Sequence, residues 1–88
     1  MANITQQIKR NRQNEKARQR NQAIRSEMKT HIRRALAAAE AGDRDAAEAA
    51  LRDAQKRIDT AAVKGVLHKS TAARRKSRLT KRVHALLG

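Results

Sequence analysis

The side chains of this 88-residue chain that could do chemistry are mostly cations. Residues 64–82 read KGVLHKSTAARRKSRLTKR and hold Lys64, Lys69, Arg74, Arg75, Lys76, Arg78, Lys81 and Arg82 with no carboxylate among them. His68, Ser70, Thr71 and Ser77 stand between these cations as hydrogen-bonding groups. Ser70 has the type and place of a helix N-cap, with Lys64, His68 and Lys69 just before it. A helix start offers free backbone N–H groups and the positive end of the dipole, so cations gathered there make a seat for phosphate. Capping alone would explain Ser70 and Thr71, but capping and phosphate binding are compatible, and the density of charge favours both.

A second cationic stretch, IKRNRQNEKARQRNQ, covers residues 8–22, with six Lys or Arg, six Asn or Gln and one acid, Glu15. At about 100° per residue, Lys9, Arg12, Lys16 and Arg20 fall within roughly 80° of one another on a helix, and Arg10 and Arg18 cover much of the opposite side. Such a helix can be gripped by a polyanion from several sides. A solvated face would be the ordinary explanation of a charge run, but here the like charges repel with only Glu15 to offset them.

Other chemistries lack their residues. There is no Cys, so disulfides and thiolate metal sites are excluded. His31, His68 and His84 show no metal-ligand spacing and no HExxH, and there is no glycine-rich phosphate loop. Ser26, Ser70 and Ser77 have no base and orienting acid around them. The sequence predicts no enzyme, no cofactor and no small-molecule substrate. His31 reads as a packing residue at the edge of the core, and His84 as peripheral.

The whole chain must hold these cations together against their own repulsion. Twenty-two basic residues against eight acidic give +14 and a pI near 11.8, a field that concentrates polyanions around the protein. Residues 1–41 carry +7, residues 42–63 carry −1 and residues 64–88 carry +8, so two cationic segments flank a nearly neutral one. Leu, Ile, Val and Phe together number only 14, a thin core for a small domain. Phe, Tyr and Trp are absent, which removes the usual platforms for stacking bases and leaves phosphates and shape to be read. No apolar run approaches a membrane span, and the N-terminus lacks the apolar region of a secretory signal. Without cysteines, a reducing cytoplasm is the expected home.

Apolar spacing supplies the scaffold. Ile24, Met28, Ile32, Ala35, Leu36 and Ala39 recur at helical steps, as do Ala47, Ala50, Leu51, Ala54, Ile58, Ala61 and Ala62. Ala72, Leu79, Val83 and Leu86 form a sparser third stripe that Lys76 interrupts. Gly42 and Gly65 mark helix ends, and Asp43 is placed to cap the second helix. Val63, Val66 and Leu67 are expected to plug the turn between the second and third helices. The predicted fold is a single all-α domain over residues 1–88: a three-helix bundle over 23–87, with residues 1–22 as a basic arm or helix extension. Because residues 8–22 carry almost no apolar surface, residues 1–22 are expected to be ordered only on a partner.

With these motifs in place, the chain resembles the bacterial small-subunit ribosomal protein twenty family. The likeness begins with MANI and IKR and continues through EKARQRNQAIRSEMKTHIRRA and AAEAGDRDAAEAAL. Its most specific part is AAVKGVLHKSTAARRKSRLTKRV, where the KG, HK, AAR and KSRL pieces occur together. The resemblance implies a three-helix bundle whose long first helix extends into the 5′ domain of the small-subunit ribosomal RNA. It also implies early binding during assembly, near the bottom of the subunit body and close to the long penultimate RNA helix. The protein would be a monomer within the cytoplasmic ribosome, with other small-subunit proteins nearby. The RNA contacts it implies fall on Lys9, Arg10, Arg12, Lys16, Arg18, Arg20 and Asn21, and on Lys64, His68, Lys69, Arg74, Lys76, Ser77 and Arg78. Arg75 joins them from its place in the basic run. Ser70 stands where the family commonly has Asn, and His31 where relatives often place an aromatic, which implies a looser core.

Two other classes fit the charge. A DNA-compacting architectural protein is the alternative, although no apolar wedge residue is visible. A membrane-active basic helix would need an apolar face within residues 8–22, and there is none.

Overall fold

The computed structural model describes the backbone of residues 2–88 and the side chains of residues 13–88. The chain forms three helices, α1 (Ala2–Glu40), α2 (Arg44–Val63) and α3 (Lys69–Leu87), with no strand among the described residues. This is the predicted all-α bundle with a long first helix. At 1.5 Å per residue α1 is roughly 58 Å long and α2 roughly 30 Å. The protein accordingly measures 65 × 22 × 13 Å, and about half of α1 overhangs its neighbours.

Both turns close as the glycines predict. Gly42 and Gly65 have φ of +76° and +77°, the left-handed conformation that a Cβ disfavours. At the end of α1 the Gly42 N–H donates to the Ala39 carbonyl at 3.0 Å, and that of Asp43 to Ala38 at 3.2 Å. At the end of α2 the Gly65 N–H donates to Ala62 at 3.1 Å, and that of Val66 to Ala61 at 2.9 Å. Each turn is thus a Schellman motif that satisfies carbonyls the helix would leave free. Asp43 then caps α2, its carboxylate accepting from the Ala46 N–H at 3.2 Å.

The core is built on small residues. Of the twelve hydrophobic residues buried among the described residues, Ala35, Ala39, Ala47, Ala54, Ala61 and Ala72 are alanines, so the helix backbones approach closely but little apolar area is removed from water. Met28, Ile58 and Val83 are the largest fully buried side chains, and Ile24, Ile32 and Leu36 pack against them from α1. Cross-helix polar contacts report the register that the core packing sets. Glu27 of α1 meets Arg57 of α2 at 3.0 Å, so these helices run antiparallel. Asp59 and Gln55 of α2 meet Lys76 and Thr80 of α3 at 2.8 and 2.9 Å, so α3 turns back alongside α1.

Three local expectations need correction. The N-cap of α3 is His68, not Ser70: its ring Nδ1 accepts the Ser70 N–H at 3.2 Å, which places Ser70 inside the first turn. Val63 does not plug the second turn. It is 87% exposed on the outer face of α2, and Val66, the residue after the left-handed glycine, is folded inward instead. At the end of α3 Leu86 is 41% exposed and Leu87 packs against the core in its place.

Candidate nucleic-acid interface

The antiparallel register brings the two cationic stretches to one end of the molecule. Since Glu27 lies opposite Arg57, the end of α2 and the turn that follows it sit where the overhang of α1 leaves the bundle. Lys64, His68 and Lys69, all exposed, therefore gather at the root of that overhang. From there α3 carries Arg74, Arg75, Ser77 and Arg78, also exposed, back along the bundle. The carboxylates follow another path. Asp43, Asp45, Glu48, Asp53 and Asp59 belong to α2 or its cap, and α3 has none. One side of the bundle is thus nearly neutral, while the overhang, the second turn and α3 are cationic.

On the overhang every residue from 13 to 20 is exposed, so Lys16, Arg18 and Arg20 are open to a partner. Arg18 contacts Glu15 one turn earlier at 3.2 Å, but both side chains are mostly in solvent, where such a pair holds only weakly. The side chains of Lys9, Arg10 and Arg12 lie outside the described residues.

Two candidate residues are held differently from the rest. Asn21 is half-buried, three residues before Ile24 on the same helical stripe, and its side-chain oxygen is buried with no hydrogen-bond partner. Asn14, Ala17, Arg18 and Arg25 surround the open hollow beside it. Lys76 is half-buried and paired with Asp59, which explains a cation within the α3 apolar stripe: the ammonium leaves that stripe to reach a carboxylate on α2.

His68 combines two tasks. Because Nδ1 accepts from the Ser70 N–H and lies 2.8 Å from the Ser70 hydroxyl, a neutral ring carries its proton on Nε2. The ring is exposed, so that N–H is free to donate outward beside Lys64 and Lys69.

Density of charge alone does not point to the cations within the bundle portion of α1. Arg25 and Lys29 are exposed, and with Arg18 they lie within roughly 40° of the direction of Leu36 on the helix. Leu36 in turn lines an open groove between α1 and α3 with Ile32, Leu79, Arg75, Arg78 and Arg82. The available signal was the spacing: Arg18, Arg25 and Lys29 continue one helical stripe past the end of the polar arm. Arg82 extends the row formed by Arg75 and Arg78.

Among the described residues no group of His, Asp and Glu is placed to hold a metal ion. No described helix is long and apolar enough to cross a membrane.

Comparison with known proteins reaches the same family as the motifs. The family described as Ribosomal protein S20 matches residues 2–84. The chain is 56% identical over 86 residues to a small ribosomal subunit protein bS20 of Beutenbergia cavernae, covering 98% of this chain and 100% of the relative. It is 58% identical over 79 residues to that of Corynebacterium glutamicum, covering 90% and 91%. A Streptomyces griseus relative is 54% identical over 86 residues, covering 98% of each chain. These relatives are named as ribosomal proteins and not as enzymes. With the family matched over residues 2–84 of its 88, the chain belongs to the ribosomal protein S20 family.

Proposed function

We propose that the protein is a structural component of the small ribosomal subunit that binds small-subunit ribosomal RNA in its 5′ domain and supports folding and assembly there. One observation carries this reading: the overhang of α1 and the exposed face of α3 are rich in cations, while five of the eight carboxylates are confined to α2 and its cap. Where RNA helices converge, their phosphates repel. A narrow helix with exposed cations on several sides can enter such a junction and neutralise it without needing a groove of its own. The second turn and α3 would hold a neighbouring backbone segment, with the His68 Nε2–H and the first-turn N–H groups of α3 other than that of Ser70 as phosphate donors.

The order of the arm belongs to this reading. Residues 13–20 are all exposed, and an isolated helix of that length is marginal in water. RNA is then the surface that stabilises the overhang. The domain divides accordingly into an arm of residues 1–22 and a self-supporting core of residues 23–87.

Counterion release would supply much of the affinity. With on the order of eight phosphate contacts, log K against log salt should fall with a slope of roughly −6 to −7. Titration of a 5′-domain transcript at several salt concentrations measures this slope, and a flat response would overturn the mechanism. Competition with random duplex DNA at fixed salt separates RNA binding from DNA compaction, since equal affinity for both would favour the latter.

A further inference from the structure

We infer that the groove between α1 and α3 seats a single extruded nucleobase of the bound RNA, resting on Ile32, Leu36 and Leu79, with the adjoining phosphates held by Arg75, Arg78 and Arg82. The inference rests on the RNA-binding reading and adds to it a contact that phosphate neutralisation does not require.

The groove has two parts of opposite character. Its floor is aliphatic: Ile32 and Leu36 are only partly covered, and Leu79 closes the space from α3. Its rim is three guanidiniums spaced at i, i+3 and i+7, which puts them on one face of α3. None of the three pairs with a carboxylate; the ion pairs of the described residues go to Arg18, Arg57 and Lys76 instead. The pocket they enclose is open and about 250 Å³ in volume.

A chain with so little apolar surface to bury would be expected to close its core completely, yet it leaves Ile32 and Leu36 partly in contact with water beside the buried Leu79. Phosphates alone would not cover it, because an anion gains nothing from an aliphatic surface. A planar base does, since its faces are poorly hydrated and its edges remain free for polar contacts. The protein has no Phe, Tyr or Trp to provide a stacking platform, and here guanidinium planes above an aliphatic floor can take that place. Charge selects the same occupant, because a base arrives with a phosphate on either side and the rim supplies unpaired cations for both. An acidic amphipathic peptide would match the charge but not the size. A docked helix needs apolar anchors over two or more turns, and this floor has three side chains in all.

The absence of Phe, Tyr and Trp makes the proposal directly testable. The full-length protein, labelled at its Ile and Leu methyls, is titrated with unlabelled small-subunit ribosomal RNA, and the free protein serves as the baseline for its three imidazoles. The expected result is an upfield ring-current shift of the Ile32, Leu36 and Leu79 methyls, with intermolecular contacts to base protons. Leu36→Asn should weaken binding about five- to tenfold with an unchanged salt slope, since no phosphate contact is lost. Arg82→Ala should weaken binding and make the slope shallower by roughly 1. Tight, salt-dependent binding with unshifted methyls would overturn the base-seat proposal and leave RNA binding standing. Displacement of the RNA from these methyls by an acidic amphipathic peptide at comparable affinity would overturn it in favour of a protein partner. Failure to bind the RNA at all would overturn the underlying functional reading.

Discussion

Lys76 of α3 reaches Asp59 of α2 across 2.8 Å, and beside this pair the Gln55 side-chain amide donates to the Thr80 hydroxyl at 2.9 Å. These are the polar contacts that join α2 to α3, and they hold back one cation of α3 from the exposed cationic face. With the Lys76 side chain 35% exposed and that of Asp59 56%, the pair should contribute below about 0.5 kcal/mol to stability. Asp59→Asn is therefore expected to leave thermal unfolding nearly unchanged and to tighten RNA binding about twofold at low salt, by removing a negative charge and releasing Lys76. Lys76→Ala should cost less RNA affinity than Arg78→Ala. Filter binding at fixed salt tests both, and a larger loss for Lys76→Ala would mean that the ammonium leaves Asp59 in the complex.

The arm and the core should be separable by mutation. Replacing Arg12, Lys16 and Arg20 together with Ala should make the salt slope of RNA binding shallower by roughly 2 to 3. The unfolding midpoint of the free protein should move by no more than about 2 °C, because Lys16 and Arg20 are exposed and a substitution at such a site is nearly neutral. A matched loss of binding and stability would place these residues in the folded core.

Hydrogen exchange should divide α1 in two. In the free protein the amides of residues 13–20 are expected to exchange almost as fast as an unstructured peptide, and those around Met28 and Ala35, which are buried, to be strongly protected. Addition of RNA should protect the first set. Strong protection there without RNA would show that the overhang is a stable helix by itself.

His68 should matter to stability as well as to binding. His68→Ala removes the acceptor for the Ser70 N–H and should cost about 1 kcal/mol of unfolding free energy. His68→Asn restores a capping acceptor and should recover most of that stability while still losing the Nε2–H that faces outward. Thermal unfolding and RNA titration of the two variants would separate the cap from the contact, and equal RNA affinity for wild type and His68→Asn would remove His68 from the interface.

Much of the fold was legible because local chemistry decides it. Gly42, Gly65 and Asp43 sit where a left-handed turn or a free N–H requires those residue types, and the structure uses each of them so. The apolar stripes of α1 and α2 follow from helical spacing, and Met28, Ala35, Leu51, Ala54 and Ile58 are all buried. Two of the misplacements have a common cause. Val63 and Leu86 carry the right residue type at a helix end, where a rotation of one residue turns a side chain from core to solvent, and sequence spacing does not report that rotation. Ser70 is the stronger capping type, but the backbone takes its extended conformation two residues earlier, at His68.

The sequence by itself determined the helices, the sites of their turns, the separation of charge along the chain and the family to which it belongs. It could do so because propensity, capping and charge are properties of short stretches. Only the tertiary structure decided which cations share a surface. The antiparallel packing of α2 on α1 brings Lys64, His68 and Lys69 to the root of the overhang, and the return of α3 lays Arg75, Arg78 and Arg82 beside Ile32 and Leu36. These residues are some forty positions apart in the chain, and what joins them is the burial of a small alanine-rich core, which no local pattern records.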